Sequence, residues 1–218
     1  MQENKKVAVV TGASAGGIGF FTTLAFAKAG FISYGTVRDS AKGKALLDEA
    51  ARLNLGDLVK ISVLDVTKED TVEKGFKKIL EEEGHIDVLV NNSGIVIYGP
   101  LESTAREDFN EVFNTNVLGV ISCTQQVLPS MRERRSGTII NVSSCLGVFS
   151  FPVVSTYGAS KWALEGLSQS LHQELKVSLA CQRCSNLTPI HTAVWNQGAC
   201  FRASGYQNSD LRPAQIWP

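Results

Sequence analysis

No stretch of eighteen uncharged apolar residues occurs in the sequence, which argues against a membrane-spanning helix. Met1 to Lys6 is polar, and the apolar run that follows, Val7 to Val10, is too short for the core of a secretion signal. The expected location is therefore the cytoplasm. Neither sign of charge is in excess: Lys+Arg and Asp+Glu number 21 each. That balance argues against a protein built to coat nucleic acid or an anionic membrane. Histidines number three, and no His/Cys/Asp cluster has metal-ligand spacing. Cys181-x2-Cys184 is a lone pair with no second half, so no metal is expected. The cysteines are five, an odd number, and with no secretory signal they read as reduced thiols. Internal repeats and low-complexity tracts are absent too. What is present is a chain of 218 residues, 44% hydrophobic and 19% charged. This suits one large globular α/β domain.

Short β-rich runs alternate with helical patterns, the signature of βαβ units and a parallel sheet. Val7-Ala8-Val9-Val10 is continuously apolar, as for a strand covered on both faces. A helix should run from the glycine-rich turn to about Ala29, with Gly30 closing it. Strands are expected over 31–37, 58–64, 86–90 and 138–142. Helices should start near Ser40 and Thr67, and long ones should cover 104–133 and 157–176. Asn116 falls within the apolar stripe of the 104–133 helix. Val177 to Ala180 reads as a sixth strand, and the pattern stops after Trp195 in a stretch read as coil. The fold class is thus a doubly wound, Rossmann-like α/β domain with a mainly parallel sheet of six to seven strands. Residues 1–195 form a single domain in this reading, and 196–218 an irregular tail.

Two motifs carry chemistry. Thr11-Gly12-Ala13-Ser14-Ala15-Gly16-Gly17-Ile18-Gly19 follows a strand and opens a helix. Glycines there permit a tight turn and close approach of backbone to a pyrophosphate, and the helix N-terminus supplies free N–H groups. In Tyr157-Gly158-Ala159-Ser160-Lys161 the phenol and the ammonium share one helix face. A nearby cation favours the phenolate, making a general acid/base of the tyrosine. Ser143-Ser144 ends a strand upstream, where open parallel sheets place ligands.

These residues, with Leu64-Asp65-Val66, Asn91-Asn92-Ser93-Gly94 and Asn116, resemble the short-chain dehydrogenase/reductase family over about residues 5–176. GTVRDSAKG, GTIINVSS, SKWALEGLSQSL and PIHTAV look most like the 17β-hydroxysteroid and retinol dehydrogenase branch. The resemblance implies hydride exchange between a nicotinamide cofactor and a ketone or aldehyde. Tyr157 would be the proton donor or acceptor and Ser144 would orient the carbonyl. Lys161 would hold the nicotinamide ribose and depress the phenol pKa, and Asn116 would serve a proton relay. Gly12, Ser14, Gly17, Ile18 and Gly19 would contact the cofactor, as would Tyr157 and Lys161. Asp65 and Val66 would meet the adenine, and Asn91 and Gly94 would line the adenosine side. The partners implied are a small carbonyl or alcohol substrate and further copies in a homodimer or homotetramer.

Cofactor choice follows from the end of strand two. A carboxylate there favours NAD by repelling a 2′-phosphate, but Val37 is followed by Arg38, which suits phosphate. NADP(H) is therefore favoured over NAD(H), with Asp39 one residue away as the counter-indication. Phe149, Phe151, Val153 and Val154 either face an apolar ligand, such as a steroid, retinoid or acyl chain, or pack beneath a loop.

Three features depart from the family pattern. The glycine turn has one residue more than TGxxxGxG. Leu187-Thr188 stand where Pro-Gly is expected after strand six. Arg202 to Pro218 reads as unrelated coil, as a truncation, splice variant or altered reading frame would produce. A second reading is thus an inactive remnant that binds nucleotide or a partner without turnover. A third is a purely structural dimer subunit.

Overall fold

The computed structural model describes residues 5–180, 191–196 and 199–203, with side chains described over 5–175. The chain forms a seven-stranded sheet in the order β3-β2-β1-β4-β5-β6-β7. Its strands are β1 (Val7–Val10), β2 (Ile32–Val37), β3 (Val59–Val63), β4 (Val88–Asn91), β5 (Thr138–Val142), β6 (His191–Asn196) and β7 (Ala199–Ala203). All neighbours run parallel except the last pair, in which β7 returns antiparallel to β6. The helices are α1 (Ile18–Lys28), α2 (Lys44–Arg52), α3 (Glu69–Glu83), α4 (Arg106–Phe113), α5 (Gly119–Arg134) and α6 (Ser155–Ala180). Among the described residues no helix is long and apolar enough to cross a membrane.

The period of two along β1 divides the core. Val7 and Val9 join Tyr34, Leu64, Phe76, Ile79 and Val127 on the face covered by α3 and α5. Ala8 and Val10 face the other way, with Val88, Val90 and Phe26 of α1. Both faces are dry, which is why β1 is apolar at every position. Polar side chains tie the far end of the sheet. Val7 N donates to Asp87 Oδ2 at 2.8 Å, and Arg134 Nη1 donates to Asp87 Oδ1 at 3.1 Å. Tyr34 Oη donates toward Glu82 and Glu83 at 2.7 Å each, anchoring β2 to the end of α3.

Three expectations are corrected. Val177 to Ala180 continue α6 instead of forming a strand. Val177 and Leu179 alternate as in a strand, but no Gly or Pro interrupts 167–188 to end the helix. The sixth strand lies at 191–196, paired parallel to β5 from Ile140↔His191. Coil after Trp195 is replaced in part by β7, whose pairing Asn196↔Ala199 makes a hairpin. Lastly, the 104–133 helix is two helices joined by a π turn, Asn114–Leu118. Cys181, Cys184, Leu187-Thr188 and the tail from Ser204 onward lie outside the described residues.

Val153, in the loop before α6, has φ +60°. For a β-branched residue the left-handed region is strained, and the carbonyl of Val153 is held there by Gly99 N at 2.8 Å. Relief of strain worth roughly 1–3 kcal/mol exceeds the entropy cost of about 0.5–1 kcal/mol for glycine. Val153→Gly is therefore expected to raise the melting temperature by a few degrees. An unchanged or lower value in a calorimetric scan would contradict the strain.

Candidate functional site

The strand order reverses beside β1, whose neighbours are β2 and β4. Connections leave to opposite sides there, and a crevice opens at the carboxyl ends of the strands. A cavity of about 380 Å³ occupies that place. Its floor is the glycine turn. Gly12 has φ +71°, and a Cβ on it would stand 2.9 Å from Ser93 Oγ. On Gly19 a Cβ would collide with the carbonyl oxygen of Gly12 and with Asn92 Nδ2. Bare backbone is thus required where the loop, β4 and α1 meet. Asn92 Nδ2 locks the turn by donating to Thr11 O at 2.8 Å and Gly12 O at 3.1 Å. The longer turn is accommodated at Gly16, which is left-handed at φ +74° and faces open space. Gly17 caps α1 without a side-chain hydrogen bond, and the first turn has no acidic residue. Its N–H groups and dipole therefore remain available to an anion.

Gly12, Ser14, Gly17, Ile18, Arg38, Asp65, Val66 and Gly94 all line the cavity. Gly19 sits beneath it as packing. Asn91 also stays out of the lining: it is 2% exposed, and its Nδ2 donates to Thr124 Oγ1 and Asn141 Oδ1 at 3.1 and 2.9 Å. It braces β4 against β5 and α5. Thr36, Thr67, Ile95 and Thr115 line the cavity without a sequence motif pointing to them, and Asn92, quoted within 91–94 but given no role, lines it too. Asn92 lies within the 91–94 motif and Thr67 directly follows Leu64-Asp65-Val66, and that position is the signal available for them.

At the β2 end, Arg38 is exposed and lines the cavity. Asp39 is otherwise engaged: its Oδ1 accepts from Ala41 N at 3.0 Å and caps the short 3₁₀ turn Ser40–Gly43. Burial pushes the Asp65 carboxyl up. Hydrogen bonds from Thr67 N and Oγ1, with the charges of Arg38 and Lys68, outweigh it and hold Asp65 below its ordinary range. An ionised carboxylate thus closes this end.

The second cluster lies beyond Gly94. The π turn offsets one helical register and aims Asn116 back at the strand ends. Asn116 Nδ2 donates to Ile95 O at 2.9 Å and Ser160 Oγ at 3.0 Å, and Oδ1 accepts from Ile95 N at 2.8 Å. Its side chain is a clamp between the β4 loop and α6. Tyr157 and Lys161 share one face of α6, with Lys161 Nζ 5.5 Å from the Tyr157 ring centre. Nζ donates to Val142 O at 2.8 Å. Ser144 Oγ accepts from Leu146 N at 3.2 Å, and its hydroxyl also lies against the Tyr157 phenol.

The electrostatics differ from the expectation for the phenol. Burial pushes the Tyr157 phenol up, and the Ser144 hydroxyl only partly opposes it, while Cys145 and Tyr98 add to the rise. The Lys161 ammonium, which donates to Val142 O, does not offset this rise. Burial pushes Lys161 itself down to about 8, against the pull of Glu165. The cluster therefore presents a neutral phenol, a hydroxyl beside it and a buried, weakly held ammonium. Asn116, Ser144, Tyr157 and Lys161 do not line the cavity of about 380 Å³, but a phenol proton next to a hydroxyl suits proton transfer to a carbonyl oxygen.

A family model described as short chain dehydrogenase matches residues 6–196. The chain belongs to that family. As a short-chain dehydrogenase it is 43% identical over 172 residues to the uncharacterized oxidoreductase YusZ of Bacillus subtilis, covering 79% of this chain and 60% of the relative. It is 38% identical over 170 residues to the 3-ketodihydrosphingosine reductase of Bacteroides thetaiotaomicron, covering 78% of this chain and 58% of the relative. Among solved structures, ElxO with NADP bound matches with a TM-score of 0.75 at 33% identity, covering 81% of this chain and 70% of that one. The short-chain dehydrogenase described here thus spans about three-fifths of the length of those two curated relatives. Among its described residues no group of three or more His, Cys, Asp or Glu is placed to hold a metal ion.

Proposed function

We propose that the protein interconverts a ketone or aldehyde and its alcohol with NADP(H), by direct hydride transfer. The observation that carries this reading is the continuity of the two clusters. The glycine cradle ends at Gly94, and a Cβ there would stand 3.3 Å from Asn116 Oδ1 and 3.8 Å from Lys161 Nζ. The two clusters thus adjoin at Gly94, which supports a single site formed by the glycine turn and the acid/base residues.

The residues fit the cofactor. Gly12, Ser14, Gly17 and Ile18 would take the pyrophosphate, at a turn that a side chain would fill. Asp65 and Val66 would meet the adenine, and Tyr157 and Lys161 the nicotinamide ribose. When bound, the cofactor supplies or accepts the hydride. Tyr157 Oη holds the proton that passes to the substrate oxygen, and Ser144 Oγ orients that oxygen. Asn116 keeps the Ile95 backbone and α6 in register. Arg38 supports NADP(H) over NAD(H), since it lines the cavity while Asp39 is spent on its cap. The NADP-bound relative agrees with this choice.

Val148, Phe149, Phe151 and Val153, in the loop between Ser144 and α6, are each about half or more exposed, whereas Val154 is buried. This favours an apolar substrate, such as a steroid, retinoid or acyl-chain ketone. The name of the 3-ketodihydrosphingosine reductase points the same way. A homodimer or homotetramer in the cytoplasm completes the proposal. Titration of the purified protein with NADPH and NADH, read by cofactor fluorescence, is the test. Micromolar NADPH binding followed by turnover in a ketone and aldehyde screen is expected. Tight binding with no turnover of any carbonyl would favour the nucleotide-binding remnant.

A further inference from the structure

A buried chain of polar side chains runs beneath the acid/base cluster, and the reaction scheme does not use it. Asn91 and Asn141 are register partners on β4 and β5. Asn91 Nδ2 donates to Asn141 Oδ1 at 2.9 Å, and Asn141 Nδ2 donates to Ser168 Oγ of α6 at 2.8 Å. The bond from Asn91 occupies Oδ1 and so turns Nδ2 toward α6. Ser168 Oγ donates in turn to Leu164 O at 2.7 Å. Asn141 is 1% exposed and Ser168 2%. Ile139, on the same face of β5 as Asn141, belongs to the apolar core that Leu171 of α6 also joins. A partner lost in such surroundings is not replaced by water.

Polar side chains thus join α6 to consecutive residues of β5: Ser168 to Asn141, and Lys161 Nζ to Val142 O at 2.8 Å. Lys161 and Ser168 share a helix face about two turns, or about 10 Å, apart. The two contacts differ in stiffness. Lys161 reaches its carbonyl on a flexible four-carbon stem and can follow a slide of the helix. Asn and Ser are short, so their bond fixes helix against strand, and a slide would leave Asn141 Nδ2 unpaired. Ser144 stands just past the end of β5, and Tyr157 lies in the first turn of α6. The turn between strand and helix presses on α6 there. A Cβ on Gly147 would stand 3.2 Å from Lys161 O, and one on Gly158 3.7 Å from Leu146 O. We propose that Asn141 and Ser168 are positioning residues: the hydrogen bond between them fixes α6 on β5 and so holds the Tyr157 phenol at the Ser144 hydroxyl.

This inference rests on the reading that Tyr157 and Ser144 act on the carbonyl, but its first test does not. Crystal structures of the full chain and of its Ser168→Ala variant are compared. The separation of Tyr157 Oη from Ser144 Oγ should change by about 1 Å in the variant, a displacement that can cost about a hundredfold in rate. With NADPH and the best carbonyl compound of the ketone and aldehyde screen, kcat should accordingly fall about ten- to a hundredfold. The KM for that compound and the NADPH dissociation constant should stay within about threefold, as for an interaction felt in the transition state. Ser168→Thr keeps the oxygen and should regain most of the rate. An unchanged separation in folded Ser168→Ala overturns the proposal, whatever the rate. A purely stabilising role predicts that result, with a lower melting temperature and an unchanged kcat. An equal loss of kcat in the Ala and Thr variants assigns the effect to packing and also overturns the proposal. A changed separation with unchanged kcat supports the fixing of α6 and overturns the assignment of Tyr157 and Ser144 to the chemistry. Should Ser168→Ala fail to fold, Ser168→Cys is read in its place with the same expectations, since sulfur fills the site but accepts weakly.

Discussion

Replacing Tyr157 by phenylalanine is expected to lower kcat for carbonyl reduction by about a thousandfold or more, with NADPH affinity within a few-fold. General acid catalysis contributes roughly 10²–10⁴-fold, and Phe keeps the ring in place while removing only the hydroxyl that carries the proton. The pH dependence is a second signature. Burial raises the phenol's pKa, so the phenol is protonated throughout the neutral range. Reduction, which uses the protonated form, should proceed at neutral pH. Alcohol oxidation needs the phenolate and should rise as pH increases toward the phenol's midpoint. Steady-state kinetics in both directions test this. Retention of most turnover by Tyr157→Phe would remove the tyrosine from the mechanism.

Arg38→Ala should weaken NADPH by about ten- to a hundredfold and NADH by less than about threefold. A hydrogen bond to a charged group contributes roughly 1.5–3 kcal/mol, and each 1.4 kcal/mol is about tenfold in affinity. The guanidinium suits a 2′-phosphate because it is planar and offers paired donors. NADH has no phosphate there, so it has little to lose. Its main cost would be indirect, through Asp65, whose ionisation Arg38 assists. Equal weakening of both cofactors would show that Arg38 supports the adenine end generally. Calorimetric titration of both cofactors separates the outcomes, and rising salt should narrow the NADPH advantage.

Some elements were legible before folding because their signals are local. β1 is apolar at every position because both faces are covered, and Asp39 announces the turn at Ser40 by its capping chemistry. The glycines of 11–19 mark the cradle because two of them take left-handed backbone, and Gly19 sits where a Cβ would strike its neighbours. The i, i+4 spacing puts Tyr157 and Lys161 on one face by helix geometry alone.

Other features depend on contacts distant in sequence. Whether Val177 to Ala180 form a strand or extend α6 cannot be read from four residues that suit both. The place beside β5 goes to 191–196. The π turn at 114–118 breaks no composition rule, and it appears only in the folded backbone, where Asn116 ties Ile95 to Ser160. Asn91 belongs to a motif shared with cavity residues, yet its side chain faces inward because β4 alternates direction residue by residue.

The sequence by itself determined the parallel α/β class, the dinucleotide cradle and the pairing of Tyr157 with Lys161. Each rests on backbone freedom, periodicity or capping within a few residues. Tertiary structure alone decided that Arg38 and not Asp39 lines the cleft and that Lys161 turns to Val142 O. Charge states follow burial, and burial is set by which distant segments cover a side chain.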